Sequence, residues 1–194
     1  MRFDKPVGFW LLLWPTLWAL WVASNGMPFS KLIFIFISGV FIMRSAGCVV
    51  NDMADRKFDS HVTRTVNRPL AKQEISLVAA TILLTSLLFF ALVLVLFLNT
   101  LCVELACVGL VITLIYPFMK RWIHAPQLVL GLAFSMGIPM AFAAVSGNLS
   151  HFSWILWIIG VLWPIIYDTL YAMADRKDDV TLVLNSTAIW IGKC

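Results

Sequence analysis

Six long apolar runs, separated by short polar breaks, leave this chain few ways to fold. They cover residues 7–24, 32–50, 77–98, 101–119, 128–145 and 152–173. Each is close to the ~20 residues that a helix needs to cross a ~30 Å hydrocarbon core. Only Asn99 and Thr100 divide the third run from the fourth. A large soluble helical protein would need amphipathic helices to coat such segments, and almost none are left outside the runs. Hydrophobic residues make up 61% of the chain and charged residues 12%, whereas a soluble domain holds about half and about a quarter. The expected fold class is therefore all-α, a polytopic transmembrane helix bundle of six spans embedded in the lipid bilayer. The first run reads as a span and not as a secretory signal. It holds Trp10, Trp14, Trp18 and Trp21, lacks a small-residue cleavage site and precedes further spans. Cys48, Cys102, Cys107 and Cys194 form no C-x-x-C pair and read as small packing residues.

Positive residues mark the cytoplasmic side of a membrane protein. Arg2 and Lys5 precede the first run, and Arg56, Lys57, Arg64, Arg68 and Lys72 follow the second. Lys120 and Arg121 follow the fourth, Arg176 and Lys177 the sixth. With six spans all of these lie on one face, opposite Lys31. The N-terminus and the even-numbered connections are thus expected to be cytoplasmic. The net charge of +4 reflects this topology and calls for no nucleic acid.

The acids share that face. Of ten Asp and Glu residues, seven stand at the ends of the second and sixth runs: Asp52, Asp55, Asp59, Asp168, Asp175, Asp178 and Asp179. On a helix, at ~100° per residue, Asn51, Asp55 and Asp59 fall within about 80° of arc, and Asp52 joins Asp55 at i, i+3. Asp168, Asp175 and Asp179 fall within about 40°, with Tyr171 bordering them, while Asp178 points away. Like charges at i, i+4 destabilise a helix, and acids near the bilayer are costly, so something should offset both. Carboxylate oxygens suit Mg²⁺, which commonly pairs one or two carboxylates with substrate phosphates. Two clusters facing one cavity would hold Mg²⁺ ions bridged by a diphosphate. Arg44, seven residues before Asn51, is the only Lys or Arg within the second to sixth runs, and a cation that deep is a functional candidate. Arg64 and Arg68 suit phosphate contacts; Lys120 and Arg121 suit either phosphate or an interface anchor.

The segments N-D-M-A-D-R-K-F-D (51–59) and D-T-L-Y-A-M-A-D-R-K-D-D (168–179) resemble the paired aspartate motifs of the UbiA superfamily of membrane prenyltransferases. So do R-F-D-K-P-V-G-F-W at 2–10, R-S-A-G-C-V-V-N-D at 44–52, R-T-V-N-R-P-L at 64–70 and Y-P-F-M-K-R at 116–121. The resemblance covers essentially the whole chain. It implies a helical bundle around a central cavity with the aspartates at its cytoplasmic mouth. It also implies Mg²⁺-dependent transfer of a polyprenyl group from polyprenyl diphosphate to the ring carbon ortho to the hydroxyl of 4-hydroxybenzoate, an early step of ubiquinone synthesis. By motif position Asn51, Asp52, Asp55 and Asp59 would form the first metal–diphosphate site, and Asp168, Asp175 and Asp179 the second. Asp55, Asp59, Asp175 and Asp179 would be the catalytic acids. Arg44, Arg64, Arg68, Tyr116, Lys120, Arg121 and Tyr171 would bind substrate, with Arg44, Lys120 and Arg121 on the diphosphate or the acceptor carboxylate. The bacterial inner membrane, or the mitochondrial inner membrane, is the implied location.

Members of the family have nine spans, so residues 1–194 are expected to form one transmembrane domain incomplete at its C-terminus, with a seventh helix starting at S-T-A-I-W-I-G-K-C. Relatives resemble D-D-V-K-I-G-I-K-S-T after the second motif, where this chain has Val183 for glycine and Asn185 for lysine. The rival readings are a menaquinone-type or haem-O-type prenyltransferase, a non-catalytic binder of prenyl diphosphate, and a transporter. The last fits poorly, because transport sites lie near mid-membrane and these acids lie at helix ends.

Overall fold

The computed structural model describes residues 6–59, 65–119, 121–181 and 185–191, and the side chains of 57–58 and 175–181 lie outside that description. Eight helices run in order: α1 Val7–Ala23, α2 Ser30–Asp59, α3 Leu77–Val95, α4 Thr100–Met119, α5 Pro126–Ser135, α6 Gly137–Ser146, α7 His151–Thr181 and α8 Thr187–Ile191. No strand occurs among the described residues. The all-α expectation holds, and every apolar run is helical.

Of the six expected spans, five reach full length among the described residues and the first is a shorter apolar helix. Ser30–Arg56, Leu77–Val95, Thr100–Met119, Pro126–Ser146 and His151–Ala174 are long and apolar enough to cross a membrane, whereas Val7–Ala23 is shorter. The reason lies at its end. Asn25 (φ 50°) and Gly26 (φ 87°) adopt left-handed conformations, which stop a right-handed helix, and the Gly26 amide closes back on the Trp21 carbonyl at 2.8 Å. The fifth run is also two helices, α5 and α6, joined at Met136. Pro139 has no N–H to give to the Ser135 carbonyl, so the ladder is interrupted one turn before it. The soft boundary between the third and fourth runs is a built cap. Asn99 Oδ1 accepts from the Cys102 amide at 3.0 Å, and its Nδ2 donates to the Ala143 carbonyl at 2.5 Å, tying the start of α4 to α6.

The core centres on α6. Ile138, Ala141 and Phe142 pack with Ala19 and Leu20 of α1 and Phe36 of α2, and Ala143 packs with Val95 and Cys102. Small residues let helices approach closely, as in other membrane bundles. A Cβ on Gly131 of α5 would overlap the backbone carbonyl of Val161 in α7. By contrast α3 buries only Ala80 and Val95. Its outward Ile82, Phe89 and Phe90 are about three-fifths exposed, as suits a face turned to lipid.

Candidate functional site

A cavity of about 750 Å³ runs through the bundle, lined by residues of α1 to α7 and by Asn185 and Ser186. Its wall is graded. Leu88, Leu92, Leu98, Val103 and Met140 line the apolar part. Arg44, Asn51, Tyr116, Gln127, Tyr167 and Asp168 line the polar part, which lies where α2, α4 and α7 approach their C-terminal ends and α5 begins. A length this apolar with polar groups gathered at one end suits an amphiphilic ligand with an anionic head.

The continuation of α2 to Asp59 carries the first acidic cluster on helix, as expected. Asn51 lines the cavity, and Asp52, Asp55 and Asp59 are buried, at 9%, 5% and 6% exposure. Their counter-ion is Arg68. Its Nη1 stands 3.1 Å from Asp52 Oδ1 and 2.6 Å from Asp59 Oδ2. The expectation that Arg68 reaches a phosphate is thereby modified. The residue lines the cavity, but its guanidinium is spent on two carboxylates, because a turn at residues 65–70 brings it back onto α2. Thr65 fixes that turn by donating to the Asp59 carbonyl at 3.1 Å. Burial raises the Asp59 pKa, with Arg68 opposing and neighbouring Asp55 adding to the rise, so Asp59 takes up a proton at higher pH than an ordinary carboxyl.

The other expected site residues divide. Tyr116, Asp168 and Tyr171 line the cavity. Arg121 is exposed; its Nη2 donates to the Ala54 carbonyl at 3.1 Å, and its guanidinium lies 5.7 Å from the Phe118 ring. Asp175 and Asp179 stand on α7, with side chains outside the described residues, and Arg64 and Lys120 lie outside them altogether. Among the described residues no three Asp, Glu, His or Cys side chains come together to hold a metal. The fit to Mg²⁺ rests instead on the donor set and on Arg68. Buried oxygens of Asp52 and Asp59 already hold one cation between them, and carboxylates are the donors that Mg²⁺ takes.

Arg44 lines the cavity with its guanidinium against Gly8, so closely that a Cβ there would collide with it. Its Nη1 contacts Cys48 Sγ, which gives that cysteine a polar neighbour beyond the packing role expected of it. Two lining residues escaped the sequence reading. Gln127, just before the fifth run, is buried and accepts from the Thr187 amide at 3.2 Å, which seats α8 under the site. Tyr167, in the middle of an apolar run and next to Asp168, carried a usable signal: a polar group at membrane depth needs a purpose.

The sequence profile of the UbiA prenyltransferase family matches residues 12–193. A 4-hydroxybenzoate octaprenyltransferase of Coxiella burnetii (strain CbuK_Q154) is 56% identical over 193 residues, covering 100% of this chain and 67% of the relative. One of Ectopseudomonas mendocina (strain ymp) is 54% identical over 192 residues, covering 99% of this chain and 65% of the relative. The chain thus spans about two thirds of the length of these relatives. Among solved structures, the apo form of a UbiA homologue from Aeropyrum pernix K1 superposes with a TM-score of 0.84 at 26% identity, covering 99% of this chain and 71% of that one. A UbiA homologue from Archaeoglobus fulgidus bound to GPP and Mg²⁺ gives 0.72 at 14% identity, covering 95% and 69%, and shares the fold.

Proposed function

The chain belongs to the UbiA prenyltransferase family, and on that premise we propose that it transfers a polyprenyl group from polyprenyl diphosphate to the carbon ortho to the hydroxyl of 4-hydroxybenzoate, in ubiquinone biosynthesis. The observation that carries this reading is the 56% identity, over the full chain, to a 4-hydroxybenzoate octaprenyltransferase. The graded cavity supports it, since its apolar length accepts a prenyl chain and its polar end a diphosphate. Residues 1–194 are read as one transmembrane domain of an integral protein of the bacterial inner membrane, with both aspartate motifs cytoplasmic.

In the reaction the allylic C–O bond breaks and its electron pair leaves with the diphosphate. The ring carbon then attacks the prenyl carbon and the ring proton is lost. Mg²⁺, when bound, offsets the charge of the departing diphosphate. Asp52, Asp55 and Asp59 of α2 would hold it, together with Asp168, Asp175 and Asp179, which are assigned to it by motif. Asn51, Tyr116 and Tyr171 line the cavity and would contact diphosphate oxygens; Arg64, Lys120 and Arg121 are assigned to the same anion by motif, and Arg68 holds Asp52 and Asp59 in place. The apolar wall excludes water that would quench the allylic cation.

The test is an assay of membranes containing the chain with labelled geranyl diphosphate and 4-hydroxybenzoate. The expected result is prenylated acceptor that forms with Mg²⁺ and disappears with chelator. Product on naphthoate or haem acceptors in preference to 4-hydroxybenzoate would overturn the acceptor assignment.

Arg68 supplies a readout independent of turnover. Arg68→Ala leaves two buried carboxylates without their cation, a loss that costs about 3–5 kcal/mol in buried pairs. In detergent without metal this variant is expected to melt well below the unsubstituted chain. Added Mg²⁺ should restore it more than it stabilises the unsubstituted chain. An equal Mg²⁺ effect on both would place the metal away from Asp52 and Asp59.

A further inference from the structure

Of the described acids of α2, Asp52, Asp55 and Asp59, none lines the cavity, whereas Asn51 and Arg68 do. Arg68 thus meets the acids on one side and the cavity on the other. A single nitrogen, Nη1, stands 3.1 Å from Asp52 Oδ1 and 2.6 Å from Asp59 Oδ2. These carboxylates belong to residues two turns apart on α2, about 10 Å along its axis, and converge on one cation. Arg68 itself is carried by chained turns and not by a helix. Its amide donates to the Thr65 carbonyl and its carbonyl accepts from the Lys72 amide, each at 2.9 Å.

Two cations cannot share these oxygens. Mg²⁺ takes carboxylate oxygens at about 2 Å, closer than the arginine stands. A metal on Asp52 Oδ1 and Asp59 Oδ2 and the guanidinium at its observed place therefore exclude each other. Displacing Arg68 with nothing to receive it is unfavourable, because a buried arginine would lose both of its counter-ions. A diphosphate changes that balance. Its oxygens match the planar fork of a guanidinium, and Arg68 already borders the cavity.

We propose that Arg68 is a stand-in cation: it holds Asp52 and Asp59 until a diphosphate enters the cavity, then passes its guanidinium to the phosphate oxygens and yields both carboxylates to Mg²⁺. The exchange rests on the reading of the α2 acids as a metal–diphosphate site. It gives Arg68 its carboxylate and phosphate partners in turn. It also makes metal and diphosphate bind as one coupled event, in which Mg²⁺ alone does not displace the arginine.

The test is calorimetric titration of Mg²⁺ alone into the unsubstituted chain, Arg68→Ala and Arg68→Lys in detergent. Removing the competitor should make Arg68→Ala bind Mg²⁺ about 10-fold more tightly or better, within the ordinary range of coupling between two ligands. Arg68→Lys keeps a cation and should stay near the unsubstituted chain. A second measurement keeps the native side chain and decides alone if Arg68→Ala does not fold. In protein with ¹⁵N-labelled arginine, the Arg68 guanidinium resonance is assigned by its absence from Arg68→Lys. It should stay in place with Mg²⁺ alone and move when Mg²⁺ and pyrophosphate are added together. Equal or weaker Mg²⁺ binding by Arg68→Ala overturns the exchange. So does an Arg68 resonance that moves with Mg²⁺ alone, or one that stays in place while calorimetry shows Mg²⁺ and pyrophosphate bound. In those cases the metal–diphosphate reading stands without the exchange. If no Mg²⁺ binds to any of the proteins, with pyrophosphate or without, that reading fails and the exchange falls with it.

Discussion

Prenyl transfer is expected to fall by about 10²–10³-fold or more when Asp55 becomes alanine, as when one preorganised group that stabilises transition-state charge is removed. Asp55 is the most deeply buried of the three acids on α2, at 5% exposure, and stands between the two that Arg68 engages. It lies one helical turn past Asn51, which lines the cavity. Removing it takes a carboxylate from the centre of the cluster and leaves the Arg68 pairs in place. The fold should therefore survive while Mg²⁺ affinity and turnover fall together. The measurement is kcat/KM for geranyl diphosphate across a Mg²⁺ titration, with Asp55→Asn beside Asp55→Ala. Asparagine keeps the size and loses the charge, so it should be nearly as inactive as alanine. Activity within a few-fold of the unsubstituted chain would remove Asp55 from the metal site.

The largest structural effect is expected at Gly131. A Cβ there would stand 2.4 Å from the Val161 carbonyl oxygen, so alanine sets side chain against backbone, and neither can rotate away. Helices α5 and α7 must part, at a cost typical of overpacking, about 1–3 kcal/mol or more. That corresponds to a melting temperature lower by roughly 2–12 °C for a chain of this size. The damage should also reach the site, because α5 presents Gln127 and Phe134, and Phe134 packs on Tyr167. Gly39 is the control. It is also helical, but a Cβ there meets nothing within 4 Å, so Gly39→Ala should change stability by no more than about 0.5 kcal/mol. Equal melting temperatures for the Gly131 and Gly39 variants would show that α5 and α7 do not pack as described.

These two glycines also show what a sequence can and cannot convey. Both sit in apolar runs, and nothing in their neighbours separates the one under a carbonyl from the one beside a cavity. Where the information is local, the reading holds. Apolar length predicts the helices, and α2 continues past Val50 to Asp59, the condition under which the step of four gathers Asn51 and the following aspartates. The seven-residue step places Arg44 on the cavity with Asn51. Where it depends on a fold-back, the reading falters. Arg68 meets Asp59 nine residues away through a turn, which helical periodicity cannot describe, so its partner was expected to be phosphate. The break at Met136 was present in Pro139, although a proline in a membrane helix is as often a packing feature as a break. Tyr167 was overlooked for a different reason: beside Asp168 and ahead of Tyr171 it looked like filler in an aromatic-rich run. In the structure, its place on the cavity wall singles it out.

Helices α1 and α7 both pack on α6, yet they are cut to different lengths. The 17 residues of α1 span about 25 Å, and the 24 residues from His151 to Ala174 about 36 Å, at the ordinary helical rise. A hydrocarbon layer of ~30 Å matches neither. In a bilayer, a longer helix is accommodated by tilting and a shorter one by local thinning. The two lengths would thus set a gradient of elastic strain around the protein, and the acyl-chain length of the surrounding lipid would become a mechanical load on the very helices that bring Gly8 against Arg44 and Tyr167 into the cavity.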